Sequence, residues 1–284
     1  MISNLRRVGE LPPRFLEALE RQEQLHRRRP ELKIHGSAQT KAMVQELGLV
    51  SVNAATDLPN LIDPIVGRRA SGAERVYQEP ATILKGWLPS ILEDPDILQM
   101  KLFSGEATLL ARRLWPLVDP LARHFGRQAR EGELVSPAGR KILALLDRHG
   151  PLRVERIRKE LGLRTVTDSK AFKLAREELD SYCLMISWDD PDSPRDPNRV
   201  LWETWNRFSE RNIDRRLIPR SIPEALEGLG EAAIKACVMA SEKSIARWFP
   251  WTKEEASGVV KQLLHRGIAE RLSVQKDIWI LVRS

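Results

Sequence analysis

From Ser136 onward, apolar positions recur first at spacings of three and four and then at every second residue, and the cycle runs twice. SPAGRKILALLDRHG opens with Ser136 as a helix N-cap and Pro137 in the first turn, stops at Gly150, and gathers Ile142, Leu143, Leu145 and Leu146 into one stripe. PLRVERIRKELG predicts a second helix through Val154, Ile157 and Leu161, and TDSKAFKLAREELDSY a third. CLMISWDD and RVLWETW then read as strands joined by the acidic, proline-rich loop PDSPRDPN. In the second cycle IPEALEGLGEAAIKACVMA, EKSIARWF and TKEEASGVVKQLLHRG predict helices, and IAERLSV and DIWILVR a hairpin around Gln275, Lys276 and Asp277. Thr252 and Glu255 supply a capping box, with Ala256, Val259, Val260 and Leu263 turned inward. Three helices followed by a hairpin is the winged-helix plan, whose helix-turn-helix lays one helix in a groove with the hairpin beside it as a wing. The expected fold class is therefore mainly α with small β-hairpin wings, built as tandem winged-helix (helix-turn-helix) modules over 136–208 and 209–284.

The region 1–135 predicts short helices broken by prolines: PPRFLEALERQEQLHRRRP, SAQTKAMVQELG, LPNLIDPIVG and ATILKGWLPSILED. SGEATLLARRLWPLVDPLARHFG predicts one further helix, bent or restarted at Pro116. Period-two alternation is absent apart from a short strand at LVSVN.

Charge changes the picture modestly. Lys and Arg exceed Asp and Glu by seven, with a pI near 9.6, which favours a polyanionic partner, double-stranded DNA first. The helix at 167–182 places Ala171, Leu174, Ala175, Leu179 and Tyr182 on its core face, with Phe172 at the margin. Ser169, Lys170, Lys173 and Arg176 occupy the opposite side, in the half that meets DNA in a helix-turn-helix, although a solvated face would carry the same charges. Arg211, Arg215, Arg216 and Arg220 cluster between the modules and could track a phosphate backbone or close a surface helix. Lys261 is the one firm cation on the outward face of the last helix, whose Glu254 would repel phosphate. Arg27, Arg28 and Arg29 form a weaker cluster that equally suits a helix end. The first wing's tip is acidic, with Asp189, Asp190, Asp192 and Asp196 against Arg195 and Arg199. Eight tryptophans suit packing, and a base-stacking role requires one exposed beside a basic cleft.

Other chemistry is sparse. There is no glycine-rich phosphate loop and no G-x-S-x-G elbow, and the five histidines and two cysteines are not at ligand spacing, so neither cofactor nor metal is expected. Cys183 and Cys237 lie apart in apolar stretches, which favours a reducing cytoplasm, and no run of about 18 apolar residues predicts a membrane span.

The repeated modules, with MKLFSGEATLLARRLWPLVDPLA and SIARWFPWTKEEASGVVKQLL, resemble the AlkZ-like tandem winged-helix proteins from about residue 40 to the end. That family includes bacterial DNA glycosylases acting on alkylated and cross-linked bases. The resemblance implies three modules, the first a degenerate winged helix within 1–135. It also implies a catalytic glutamine, an aliphatic residue, then glutamine or aspartate, after an LG helix stop. In ELGLVSVNAATD that register falls on Ser51, Val52 and Asn53, and neither polar side chain is a general base at neutral pH; Asp57 is the nearest acid. Three functions are compatible with these observations: a DNA-binding, DNA-repair-related protein, a glycosylase with a divergent active site, and a winged-helix protein-interaction scaffold or transcriptional regulator.

Overall fold

The computed structural model describes residues 11–54, 56–163, 166–189 and 200–283. It consists mostly of helices around three small antiparallel sheets, each of three strands. α1 (Pro13–Leu25) precedes the first module. That module runs α2 (Ser37–Leu47), β1 (Leu49–Ser51), α3 (Ile62–Val66), α4 (Gly72–Val76), α5 (Glu79–Leu92), β2 (Ile97–Phe103) and β3 (Glu106–Ala111). α6 (Trp115–Glu131) leads to α7 (Pro137–His149), β4 (Leu152–Arg153), α8 (Val154–Glu160), α9 (Val166–Ser181), β5 (Met185–Asp189) and β6 (Val200–Thr204). α10 (Trp205–Asn212) then connects to α11 (Ile222–Cys237), β7 (Met239–Ser241), α12 (Glu242–Ile245), α13 (Lys253–His265), β8 (Ala269–Val274) and β9 (Asp277–Val282). In all three sheets the short strand that follows the module's first helix pairs with the second strand of the hairpin, giving orders β1-β3-β2, β4-β6-β5 and β7-β9-β8. This is a tandem winged-helix fold.

Local chemistry explains most of the boundaries. Ser136 Oγ accepts from the Gly139 amide, and Gly150 ends α7 at φ +80°. Thr252 and Glu255 close the expected capping box on α13, whose Ala256, Val259, Val260 and Leu263 are buried.

Two expectations are corrected. Residues 104–111 are not helical: Ser104 and Gly105, at φ +53° and +71°, turn a hairpin between β2 and β3, and α6 begins after it with Pro116 in its first turn. Ala111 marks the change from strand to helix, so Pro116 starts a helix and does not bend one. On α9 the core face is Phe172, Ala175 and Leu179, while Ala171 and Leu174 are exposed. Phe172 stacks on Trp202 of β6 with ring centroids 5.1 Å apart and planes 9° apart, and this sets the rotation of the helix.

α1 lies outside the modules and binds the third one. Phe15 meets Trp279 edge-on at 5.1 Å, Gln22 Nε2 donates to the Cys237 carbonyl at 2.7 Å, and His26 Nε2 lies 2.9 Å from the Ala236 carbonyl.

Candidate functional site

Between the first and third modules, with α1 behind them, opens a cleft of about 780 Å³. Its walls carry Arg28, Arg69, Arg75, Lys101 and Arg247 against two acids, Asp57 and Glu106. Beneath one wall the carboxylate of Asp63, wholly buried, accepts from Arg28 Nε at 2.6 Å and Arg75 Nη2 at 2.9 Å. Asp63 also accepts from the Ala70 amide at 3.0 Å, and Arg75 donates to the carbonyls of Ala70 and Ala54, so this ionic cluster is saturated. Arg69 is the cluster's accessible member, 3.5 Å from Glu23. Partial burial, and then the neighbouring Arg28, lower its pKa from the ordinary guanidinium value.

The facing wall comes from the segment after β7. Ser244 Oγ and Trp248 Nε1, the latter at 2.9 Å, both donate to Oδ2 of Asp57. The hairpin tip of the first module docks on the same segment. Ser104 N donates to the Trp248 carbonyl at 2.6 Å, Ser104 Oγ to the Arg247 carbonyl at 3.2 Å, and Phe103 packs against Trp248 and Phe249. The β2–β3 hairpin is therefore a brace between modules, its tip engaged with protein. Beside Asp57, the hydroxyl of Thr56 is buried without a hydrogen-bond partner. Behind it, burial and then the charge of Asp57 push the Cys237 thiol well above its ordinary pKa, so this cysteine is an inert apolar side chain.

Of the three candidates in the 51–57 segment, the structure brings only Asp57 to the cleft. Ser51 is fully buried and its Oγ accepts from the Ala54 amide at 3.2 Å, while Asn53 Nδ2 donates to the Arg75 carbonyl at 3.5 Å. Both shape the chain that presents Asp57.

The predicted cations divide. Lys170 and Lys173 are exposed on α9, Lys173 lying 3.9 Å from Glu177. Ser169 Oγ accepts from Arg158 at 3.0 Å. Arg176 lies over the Trp202 ring at 5.5 Å and 3.6 Å from Asp180, and Asp180 is also 3.8 Å from Lys101 in the cleft wall. Burial raises the pKa of Asp180 against the pull of those two cations. Ser181 lines the cleft as well, so the C-terminal end of α9 reaches it. Arg211 is committed to a bidentate pair with buried Glu203, at 2.5 and 2.6 Å, and Arg216 is paired to Asp214 at 2.7 Å. Arg215, Arg220 and Lys261 are exposed. Arg27 and Arg29 pair with Glu46 and Glu20. The acidic tip of the second hairpin, with the side chain of Asp189, lies outside the described residues. None of the eight tryptophans is exposed, and Trp202, Trp205 and Trp248 are fully buried. Arg28 apart, the cleft cations escaped the sequence reading, because Arg69, Arg75, Lys101 and Arg247 are scattered along the chain and share no spacing that marks a site.

A family model described as AlkZ related matches residues 34–250. Among solved structures, the Streptomyces sahachiroi DNA glycosylase AlkZ superposes with a TM-score of 0.55 at 11% identity, covering 92% of this chain and 69% of that one. No curated protein matches the sequence significantly. Among the described residues no helix is long and apolar enough to cross a membrane, and no group of three or more side chains is arranged to hold a metal ion.

Proposed function

The chain belongs to the AlkZ-related family, and from that premise we propose that it is a DNA-repair protein that binds duplex DNA along α9 and admits one nucleotide to the cleft. The observation that carries this reading is the Arg176–Asp180–Lys101 chain of ion pairs, which joins the helix-turn-helix surface to the cationic cleft. A helix lying in a groove needs phosphate contacts to hold its register, and Lys170, Lys173 and Arg176 supply them, with Arg215, Arg220 and Lys261 as outlying cations. A nucleotide in the cleft would meet Arg69, Lys101 and Arg247 with its phosphates and the unpartnered Thr56 hydroxyl with a polar edge.

Asp57 favours the more specific reading, hydrolytic removal of a damaged base. Its Oδ2 is held by two neutral donors, which leaves Oδ1 as the acceptor for a water. That water's oxygen would bond to C1′ of the extruded nucleotide as the C1′–N bond breaks. Asp57 would take the water's proton and the departing base would leave with the bonding pair.

One set of duplexes tests both readings. Charge reversal at Lys170 and Lys173 should weaken binding to all sequences and flatten the log–log salt slope by nearly two units, at about 0.9 per phosphate. Affinity unchanged from wild type would remove α9 from the interface. On alkylated duplex, wild type should generate abasic sites and Asp57→Asn should be slower by about a hundredfold. Tight binding with no release above the spontaneous rate leaves a binding protein and no glycosylase.

A further inference from the structure

We propose that Leu174 gives this protein a sequence preference: it contacts the 5-methyl group of a thymine in the major groove, about three base pairs from the nucleotide that enters the cleft. The inference rests on the DNA-binding reading above.

A single exposed leucine is ordinary on a protein surface, and its position is what gives this one meaning. Leu174 is 54% exposed on α9, although Phe172 and Ala175 on either side of it are buried. Exposed Lys170 lies one turn before it on the same face, and Lys173, 79% exposed, flanks it. An apolar side chain beside two cations on the last helix before a wing is placed where helix-turn-helix proteins meet base edges, with phosphates close by. Glu177, farther along this face, is paired with Lys173 and does not make the stripe acidic.

α9 also fixes the distance. Leu174 and Ser181 are seven residues apart, so they share a face two turns apart, and Ser181 lines the cleft. At about 1.5 Å per residue the separation along the helix is roughly 10 Å. Duplex DNA rises about 3.4 Å per base pair, so a helix running along the groove places Leu174 about three pairs from a nucleotide at the cleft. Among major-groove features, the thymine methyl is the one that an aliphatic side chain recognises.

The test is fluorescence anisotropy with duplexes that carry a central tetrahydrofuran abasic analogue. Thymines two to four pairs away are replaced one at a time by deoxyuridine, which deletes only the methyl. Wild type should lose about fourfold in affinity at one of these positions, the worth of burying one methyl group. Leu174→Ala should bind the thymine duplex about as weakly as wild type binds the uracil one, and should be indifferent to the replacement. Circular dichroism identical to wild type excludes a folding defect in this exposed-site variant. Equal uracil penalties for the two proteins, or no penalty at any position, overturn the assignment of Leu174 while DNA binding stands. Wild type that binds neither duplex overturns the DNA reading itself and this inference with it.

Discussion

Phe172 and Leu174 stand two positions apart on α9, and the hydrophobic pattern reverses their fates. Spacing alone put Leu174 in the core and Phe172 at its edge, whereas Leu174 is solvent-exposed and Phe172 only 6% exposed. A helical wheel gives relative angles, and the absolute rotation comes from the partner, here the Trp202 ring lying parallel to Phe172. At Val259, Val260 and Leu263 on α13, the pattern alone places the buried face. The two α9 positions should therefore differ sharply on truncation. Phe172→Ala should cost about 3–5 kcal/mol through the lost stack and the cavity left behind. Leu174→Ala should stay within about 0.5 kcal/mol of wild type. Urea denaturation of both variants measures the contrast, and equal losses would put Leu174 back in the core.

Among the elements, capped helices were legible and the first hairpin was not. Ser136 and Thr252 act locally, through a side-chain oxygen on an amide three residues ahead, so the sequence carries them in full. β2 and β3 show no clean alternation because both faces are covered, β3 burying four successive residues, Thr108 to Ala111. The only local signal was the Ser104–Gly105 dipeptide, and it sits beside a run of apolar and basic residues that reads equally well as helix. The site was hidden for the same reason, since its cations come from five separate elements and loops and meet only after the modules dock. α1 shows what such docking entails. His26 is fully buried, its Nε2–H donates to the Ala236 carbonyl, and its Nδ1 has no partner. Burial and then Arg28 hold its pKa well below the ordinary 6.5 against the opposing pull of that carbonyl bond, with Arg69 adding a lesser lowering effect. A folded-state pKa below the unfolded one leaves stability intact above about pH 6.5 and removes it as pH falls, because the unfolded chain takes up a proton that the folded chain refuses. The cost is about 1.4 kcal/mol per pH unit below the unfolded pKa, until the folded value is reached. Between pH 7.5 and 5.5, wild type should therefore lose about 1.4 kcal/mol more than His26→Gln, whose Nε2 can still donate to Ala236. Parallel losses in urea titrations would show that His26 does not titrate on unfolding.

Across the whole molecule, the first two modules keep cores of their own and a further apolar cluster joins all three. A single core cluster takes in Leu49 and Phe103 from the first module, Cys183 and Ile186 from the second, and Ile234, Trp248 and Ile280 from the third, with Trp115 and Trp205 of the connecting helices α6 and α10. Trp248 concentrates the coupling: it is buried against Phe103, its indole N–H holds Asp57, and its carbonyl accepts from Ser104 at the tip of the β2–β3 hairpin. The cleft therefore exists only while the first and third modules are docked, and so does the geometry around Asp57. Beads on a string would unfold one by one, each at a temperature set by its own core, whereas modules sharing an interior lose their partner's contacts as soon as one of them opens. Scanning calorimetry should show one transition for wild type, and Trp248→Ala, at a cost of about 3–5 kcal/mol, should shift that transition downward as a unit. Two resolved peaks, with only the lower one moved by the substitution, would show that the third module folds alone. The cleft would then be a contact between independent bodies, and its cations could not act as one preformed site.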